Sequence, residues 1–337
     1  MACNRSVLGF LAVGLALAAG VATLAAPREW VVTRASDGHP DFQGVWANNT
    51  VTPLQRPKQW ESKTRLTDAE VAELQKFAAQ ITENDGDAQF GDGFILAVLN
   101  RIAKPTSYDP GTGNYNQFWL VDRDWHDRRT SLVTSPADGK LPAMTPEAQK
   151  RRAAEIEHRK VHAFEDPEVF ALGERCVNFT VPRLQAGYNS YLQIVQSAGY
   201  VTIMNEMAHD ARIVPLDGRP HLDSRIRKWN GDSRGHWEGD TLVIDTTNFS
   251  PKSDFMGSHE NLHLTEKLTR VSAEVLNYEF TVDDPTTWTA PWTAMIPLKH
   301  KNELIYEYAC HEGNQAMADM LSGHRFEERA AEKTRSR

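Results

Sequence analysis

Apolar and polar positions change rhythm near residue 188. Before it, Val71, Leu74, Ala78 and Ile81 recur on one face of a helix running to about Gln80. Thr67-Asp-Ala-Glu70 opens that helix as a capping box, in which Thr and Glu satisfy each other's exposed backbone N–H groups. A second helix is predicted from Thr145-Pro-Glu to about His162, with Thr145 as N-cap and Pro146 in the first turn. Its high charge leaves at most one face to bury. Residues 27–65 are rich in Pro and Trp, and Asp41-Phe-Gln-Gly-Val-Trp46 is the one strand expected there. Residues 82–127 read as irregular, rich in Gly, Asp, Asn and aromatics. A long segment of this kind usually wraps a core or shapes a site.

From residue 188 a period of two takes over. Tyr188 to Met207 reads as two strands split near Gly199. Arg212 to Arg219 carries a turn at Asp217-Gly218, and His236 to Thr247 is a hairpin around Gly239-Asp240. Leu262–Val271, Val275–Asp283 and Leu304–His311 follow with alternating apolar residues, the last of these read as the final strand. Short consecutive strands with tight turns and no helices between them predict a mainly β, antiparallel fold. The expected form is a lipocalin-like barrel or curved sheet with peripheral N-terminal and C-terminal helices, the latter within Asn314–Ser336. Residues 26–170 are expected to form an irregular and helical wrap, 171–323 the β core and 324–337 a charged tail, all in one integrated domain.

The first 25 residues change where this fold is expected to work. Arg5 precedes an apolar stretch from Val7 to Ala22, and small residues follow up to Pro27. This is the pattern of a secretory signal peptide cleaved after Ala25, with an uncleaved anchor as the competing reading. The expected location is periplasmic or secreted, with no stable membrane insertion after cleavage. Of three cysteines, Cys3 leaves with the signal, and Cys176 and Cys310 remain as a pair in an oxidising compartment. A disulfide between them would close a loop of over a hundred residues, stabilising by roughly 4–5 kcal/mol in the chain-entropy model. The 337 residues carry 37 basic and 45 acidic side chains, a formal charge of −8. That balance argues against general nucleic-acid binding, which needs a basic surface.

The string Gly231-Asp-Ser-Arg-Gly-His-Trp-Glu-Gly-Asp-Thr-Leu-Val-Ile-Asp-Thr-Thr-Asn-Phe249 resembles the signature of a large, poorly characterised family of exported bacterial proteins. So do His209-Asp-Ala-Arg212, Glu260-Asn-Leu-His263 and Tyr306-Glu-Tyr-Ala-Cys-His-Glu-Gly-Asn314. The resemblance spans about residues 40–60 and 170–320 and implies membership without implying an activity. Gly44-Val-Trp46 is also similar to the G-x-W of calycin barrels.

Candidate chemistry comes from polar residues on apolar strand faces. Leu264, Glu266 and Leu268 share a face, because side chains alternate along a strand. Glu206 is read as sharing a face with Tyr200, Thr202 and Met204. A carboxylate held in apolar surroundings has its pKa raised and can move protons near neutral pH. Pairing with an arginine such as Arg212 or Arg270 would instead make each glutamate structural. Glu206, His209, Asp210, Glu266 and His311 are the candidates for proton transfer. Arg212, His263, Tyr278, Trp288, Trp292, Tyr306 and Tyr308 are the candidates for contact with a substrate, Trp288 and Trp292 through an aromatic loop. His259-Glu-Asn-Leu-His263 matches the zincin pattern, but Gly257-Ser258 before it and strand spacing after it oppose the helix which that chemistry requires. Asp283-Asp284-Pro285 reads as a strand terminator, with calcium binding as the other option.

Two functions follow. One is an exported, cofactor-independent enzyme acting on an apolar or aromatic small molecule by general acid/base chemistry, of isomerase, cyclase or lyase type. The other is a periplasmic carrier that uses the same cavity without turnover. Unpaired deep carboxylates would favour the enzyme and neutralised ones the carrier. On the enzyme reading Glu266→Gln abolishes turnover and leaves folding nearly intact. No metal or cofactor is expected.

Overall fold

The computed structural model describes residues 30–83, 87–106, 120, 122–184 and 187–335. The proposed signal segment and part of the 82–127 stretch lie outside these residues. The chain divides into residues 1–31 and 32–337, and of the first unit only Trp30 and Val31 are described, both exposed. Among the described residues no helix is long and apolar enough to cross a membrane.

Ten strands are described: β1 Gly44–Ala47, β2 Val133–Ser135, β3 Tyr191–Ser197, β4 Tyr200–Asn205, β5 Ala211–Pro215, β6 Asp232–Glu238, β7 Thr241–Thr247, β8 His263–Arg270, β9 Val275–Asp283 and β10 Trp292–Lys301. Nine form one antiparallel path, β5-β4-β3-β1-β10-β9-β8-β7-β6, and short β2 pairs with β10 off that path. The path curls until β5 and β6 lie side by side without a hydrogen-bonded ladder, so the sheet is a barrel nearly closed. Four helices accompany it: α1 Asp68–Glu83, α2 Gly93–Leu99, α3 Pro146–Val161 and α4 Ala316–Arg335.

The period of two builds the core. Leu276, Tyr278, Phe280 and Val282 of β9 point inward, as do Leu264, Glu266 and Leu268 of β8 and Leu242 and Ile244 of β7. Trp46, Trp292, Ile296 and Leu298 complete a filled interior. Each large apolar side chain buried this way contributes about 1.5–3 kcal/mol. The seam between β5 and β6 closes on Gly235: a Cβ there would lie 2.6 Å from Leu216 Cδ2 and 2.9 Å from Val214 Cγ1. Gly235→Ala is therefore expected to cost roughly 1–3 kcal/mol by overpacking. An unchanged urea midpoint would show that the seam is looser than this geometry.

Both expected helix starts form. Thr67 Oγ1 accepts from Glu70 N at 3.3 Å, while Glu70 Oε2 accepts from Thr67 N at 2.8 Å. Thr145 Oγ1 accepts from Ala148 N at 3.1 Å. Helix α2 departs from the irregular reading of 82–127. Its run Phe94-Ile-Leu-Ala-Val-Leu99 is apolar almost all round, so no periodicity marks it, and it packs on α1 in a second small core.

The final strand also differs from expectation. It is β10, and Trp292 opens it fully buried instead of lying in an aromatic loop. Pro297 argues against a strand in sequence. It is tolerated between the stretches of β10 that pair with β2 and with β1. Residues 304–311, expected to be that strand, form no ladder, and Tyr306 is 73% exposed. On β4 the inward face is Val201 and Ile203, leaving Tyr200 exposed and Thr202 and Met204 half-buried on the other face. Glu206 reaches the interior because β4 ends at Asn205 and a helical turn at Met207–His209 follows.

Candidate functional site

One end of the barrel gathers polar side chains that the core excludes elsewhere. Glu266 is fully buried on β8, and Arg212 on β5 is 9% exposed. These strands are not neighbours in the sheet; the two side chains meet across the interior. Arg212 donates from Nη1 to Glu266 Oε2 at 2.5 Å and from Nη2 to Oε1 at 2.7 Å. Tyr278, directly across from Leu268 on β9, donates its hydroxyl to Glu266 Oε1 at 2.7 Å. Ser233 and Thr246 share a hydrogen bond of 2.9 Å beside Arg212.

The electrostatics follow from this packing. Burial pushes the Tyr278 hydroxyl well above the ordinary phenol range, and the adjacent Glu266 carboxylate adds to this. Burial pulls the Arg212 guanidinium down, but Glu266 more than offsets it, so the net direction is up. Of the two roles considered for Glu266, proton carrier or ion-pair partner, the geometry is that of a bidentate pair.

A small cavity adjoins the triad. Its volume is about 30 Å³, and its lining includes Arg212, Glu266, Tyr278, Asn205, Ser190 and Asn48. That is room for roughly two waters or one small polar group. Asn48 Oδ1 and Ser190 Oγ are buried without a hydrogen-bond partner. Arg183 lines the same cavity, with its guanidinium 4.9 Å above the Phe179 ring and Nη2 against Met207 Sδ. Burial lowers its pKa. Arg183, Asn48, Ser190 and Asn205 were not legible as site residues in sequence. The one local sign was the Asn48-Asn49 pair placed just after the expected Asp41–Trp46 strand.

The other candidates have different surroundings. Glu206, 2% exposed, accepts from Tyr306 N at 2.9 Å and from Tyr191 N at 3.4 Å. His209 Nδ1 accepts from Tyr308 N at 3.1 Å. Asp210 accepts from the amides of Asn178 and Asn230. Cys310 is bonded to Cys176, with Cα atoms 5.7 Å apart. Together Glu206, His209 and the disulfide clasp residues 306–310 onto the barrel end. Tyr306 points to solvent, Tyr308 is half-buried against Phe179 and His311 is exposed.

Trp288 and Trp292 belong to the aromatic core, with ring centroids 5.9 Å apart, and Trp288 Nε1 donates to Ser258 Oγ. His263 lies on the outer face of β8, where its Nε2 meets Asp245 at 2.5 Å; Asp245 also meets His221 at 2.8 Å. Burial raises the Asp245 pKa, but hydrogen bonds from both imidazoles outweigh it and hold the carboxyl below the usual range. His259 bonds Ser253 O instead, on a turn, so the two histidines of the zincin pattern have separate surroundings. Asp284 accepts from Thr286 N and Oγ1 just beyond β9, as a strand terminator does. Among the described residues no group of three or more His, Cys, Asp or Glu is arranged to hold a metal ion.

A wider, open groove of about 530 Å³ lies outside the barrel, between α3, residues 168–180 and the loop at 251–259. Within it Lys252 is paired with Glu168, and His259 Nε2 lies 3.6 Å from Glu155. No family model matches the chain, and no curated protein matches its sequence.

Proposed function

We propose that the protein is an exported small-molecule carrier whose ligand engages the Arg183-lined end of the barrel. The carrying observation is a cavity holding two orphaned polar atoms beside a carboxylate that is already neutralised. Asn48 Oδ1 and Ser190 Oγ lack partners in a space that adjoins Glu266. Leaving such groups buried and unsatisfied costs about 1–3 kcal/mol each, which water or a ligand atom would recover. Glu266, meanwhile, is engaged by three hydrogen bonds from Arg212 and Tyr278. It therefore lacks the unpaired character that acid/base turnover asks of it. The Cys176–Cys310 disulfide is in keeping with an oxidising compartment. The cavity takes only the tip of a ligand as it stands, since sites for whole drug-sized molecules run to about 300–1,000 Å³. The rest of such a ligand would lie outside the cavity.

A second reading, the acid/base enzyme of lyase or isomerase type, is favoured by one feature: the Tyr278 hydroxyl lies on the cavity wall as a positioned proton donor. Small molecules extracted from protein purified out of its native host decide between them. A carrier yields a stoichiometric ligand that survives unchanged when returned to fresh protein. Conversion of that ligand would establish the enzyme, and protein that carries nothing would count against both.

A further inference from the structure

At this end of the barrel, among the described residues, the half-buried Arg183 stands without a counter-charge. Arg212 is paired with Glu266. Arg270, beneath the Trp46 ring, donates to the carbonyls of Asp41, Ser272 and Ala273. Arg129 is paired with Asp127. Arg183 contacts a thioether and a ring face, neither of which supplies a negative charge, and it has no carboxylate partner among the described residues. Glu206, the other buried carboxylate at this end, is held by the N–H groups of Tyr191 and Tyr306 and does not pair with Arg183. A partly desolvated charge without a counter-charge is costly, so a ligand that provides one is stabilised there.

The cavity lining has the same imbalance. Two arginines, Arg183 and Arg212, line it against one glutamate, Glu266, and that glutamate is already paired with Arg212. Ser190 Oγ, buried and unpartnered, can donate alongside the guanidinium. Asn48 Oδ1 can take a hydrogen from a ligand hydroxyl or from a water carried in with it. Val181, Leu192, Ile203 and Leu298 form apolar walls.

We propose that Arg183 makes this cavity a receptor for a carboxylate, so that the ligand is an organic acid with a mainly apolar body. The proposal rests on the barrel end being a ligand site at all. An Arg fork matches a carboxylate with two parallel N–H bonds. The volume of about 30 Å³ suits an acid group and excludes a ring.

The test is calorimetric titration of the full mature chain at neutral pH. The probes are acetate, butanoate, benzoate and 3-phenylpropanoate, each set against the primary alcohol of the same skeleton. At least one acid is expected to bind roughly tenfold or more tighter than its alcohol. Arg183→Met should abolish that preference while thermal stability stays level or rises, because a half-buried charge without a carboxylate partner has been removed. Arg183→Lys, which keeps the charge and loses the fork, should retain only part of the preference, and it serves if the Met variant fails to fold. Alcohols binding as tightly as acids, or a preference that survives Arg183→Met, would overturn the carboxylate assignment and leave the carrier reading standing. Failure of both acids and alcohols to bind would remove both.

Discussion

Glu266→Gln should lower the stability of the folded protein by about 3–5 kcal/mol, because it leaves the Arg212 guanidinium buried without its counter-charge. Arg212 is 9% exposed and gives both terminal nitrogens to Glu266, so water cannot replace the lost partner at its usual strength. Tyr278 keeps an acceptor in the glutamine carbonyl, whereas one Arg212 nitrogen then faces an NH2 donor. For a chain of this size the loss amounts to a fall in melting temperature of about 4–7 °C. This differs from the silent substitution that an unpaired catalytic carboxylate would give. The discriminating companion is Arg212→Met with Glu266→Leu, which removes both charges at similar volume and should recover most of the stability. If Glu266→Gln melts with the wild type, or the double variant is no better than the single, the ion pair does not hold the barrel end as described.

Replacing Cys176 and Cys310 by serine should cost about 5 kcal/mol, the chain-entropy value for a crosslink with a sequence separation of 134. The loss has a structural route. The disulfide anchors residues 306–310, whose backbone N–H groups at Tyr306 and Tyr308 satisfy Glu206 and His209. Without the anchor this extended segment has no ladder to hold it, and Glu206 loses a donor while buried. Urea unfolding under oxidising and reducing conditions measures the effect, since the midpoint should fall on reduction and the reduced wild type should match the double serine variant. Equal midpoints in the two conditions would show that the clasp holds without the bond.

The sequence by itself determined which residues alternate and therefore which face points inward. Glu266 was legible as an interior residue because a register slip of one would have exposed Leu264 and Leu268. Helix starts at Thr67 and Thr145 were legible because a cap is a contact three residues long. The cysteine pairing was legible from the expectation that Cys3 belongs to a signal segment, which leaves Cys176 and Cys310 as the pair that the structure joins. Local pattern failed where position along the chain and position in space part company. Leu304–His311 alternates like a strand, yet a strand needs a neighbour to pair with, and this segment pairs with none, so that β10, between β1 and β9, is the last strand in chain order. Glu206 kept an interior position for a reason its alternation misassigned: a helical turn after Asn205 rotates it inward to meet two backbone N–H groups. Only the tertiary structure decided that Arg212 is the partner of Glu266, that Glu206 and His209 clasp a backbone segment and that Arg183 lines the cavity. Arg212 and Glu266 stand on strands that never pair, and they meet only because the sheet curls until β5 reaches β6. Alternation carries the direction of a side chain, whereas closure of the barrel decides what that side chain meets.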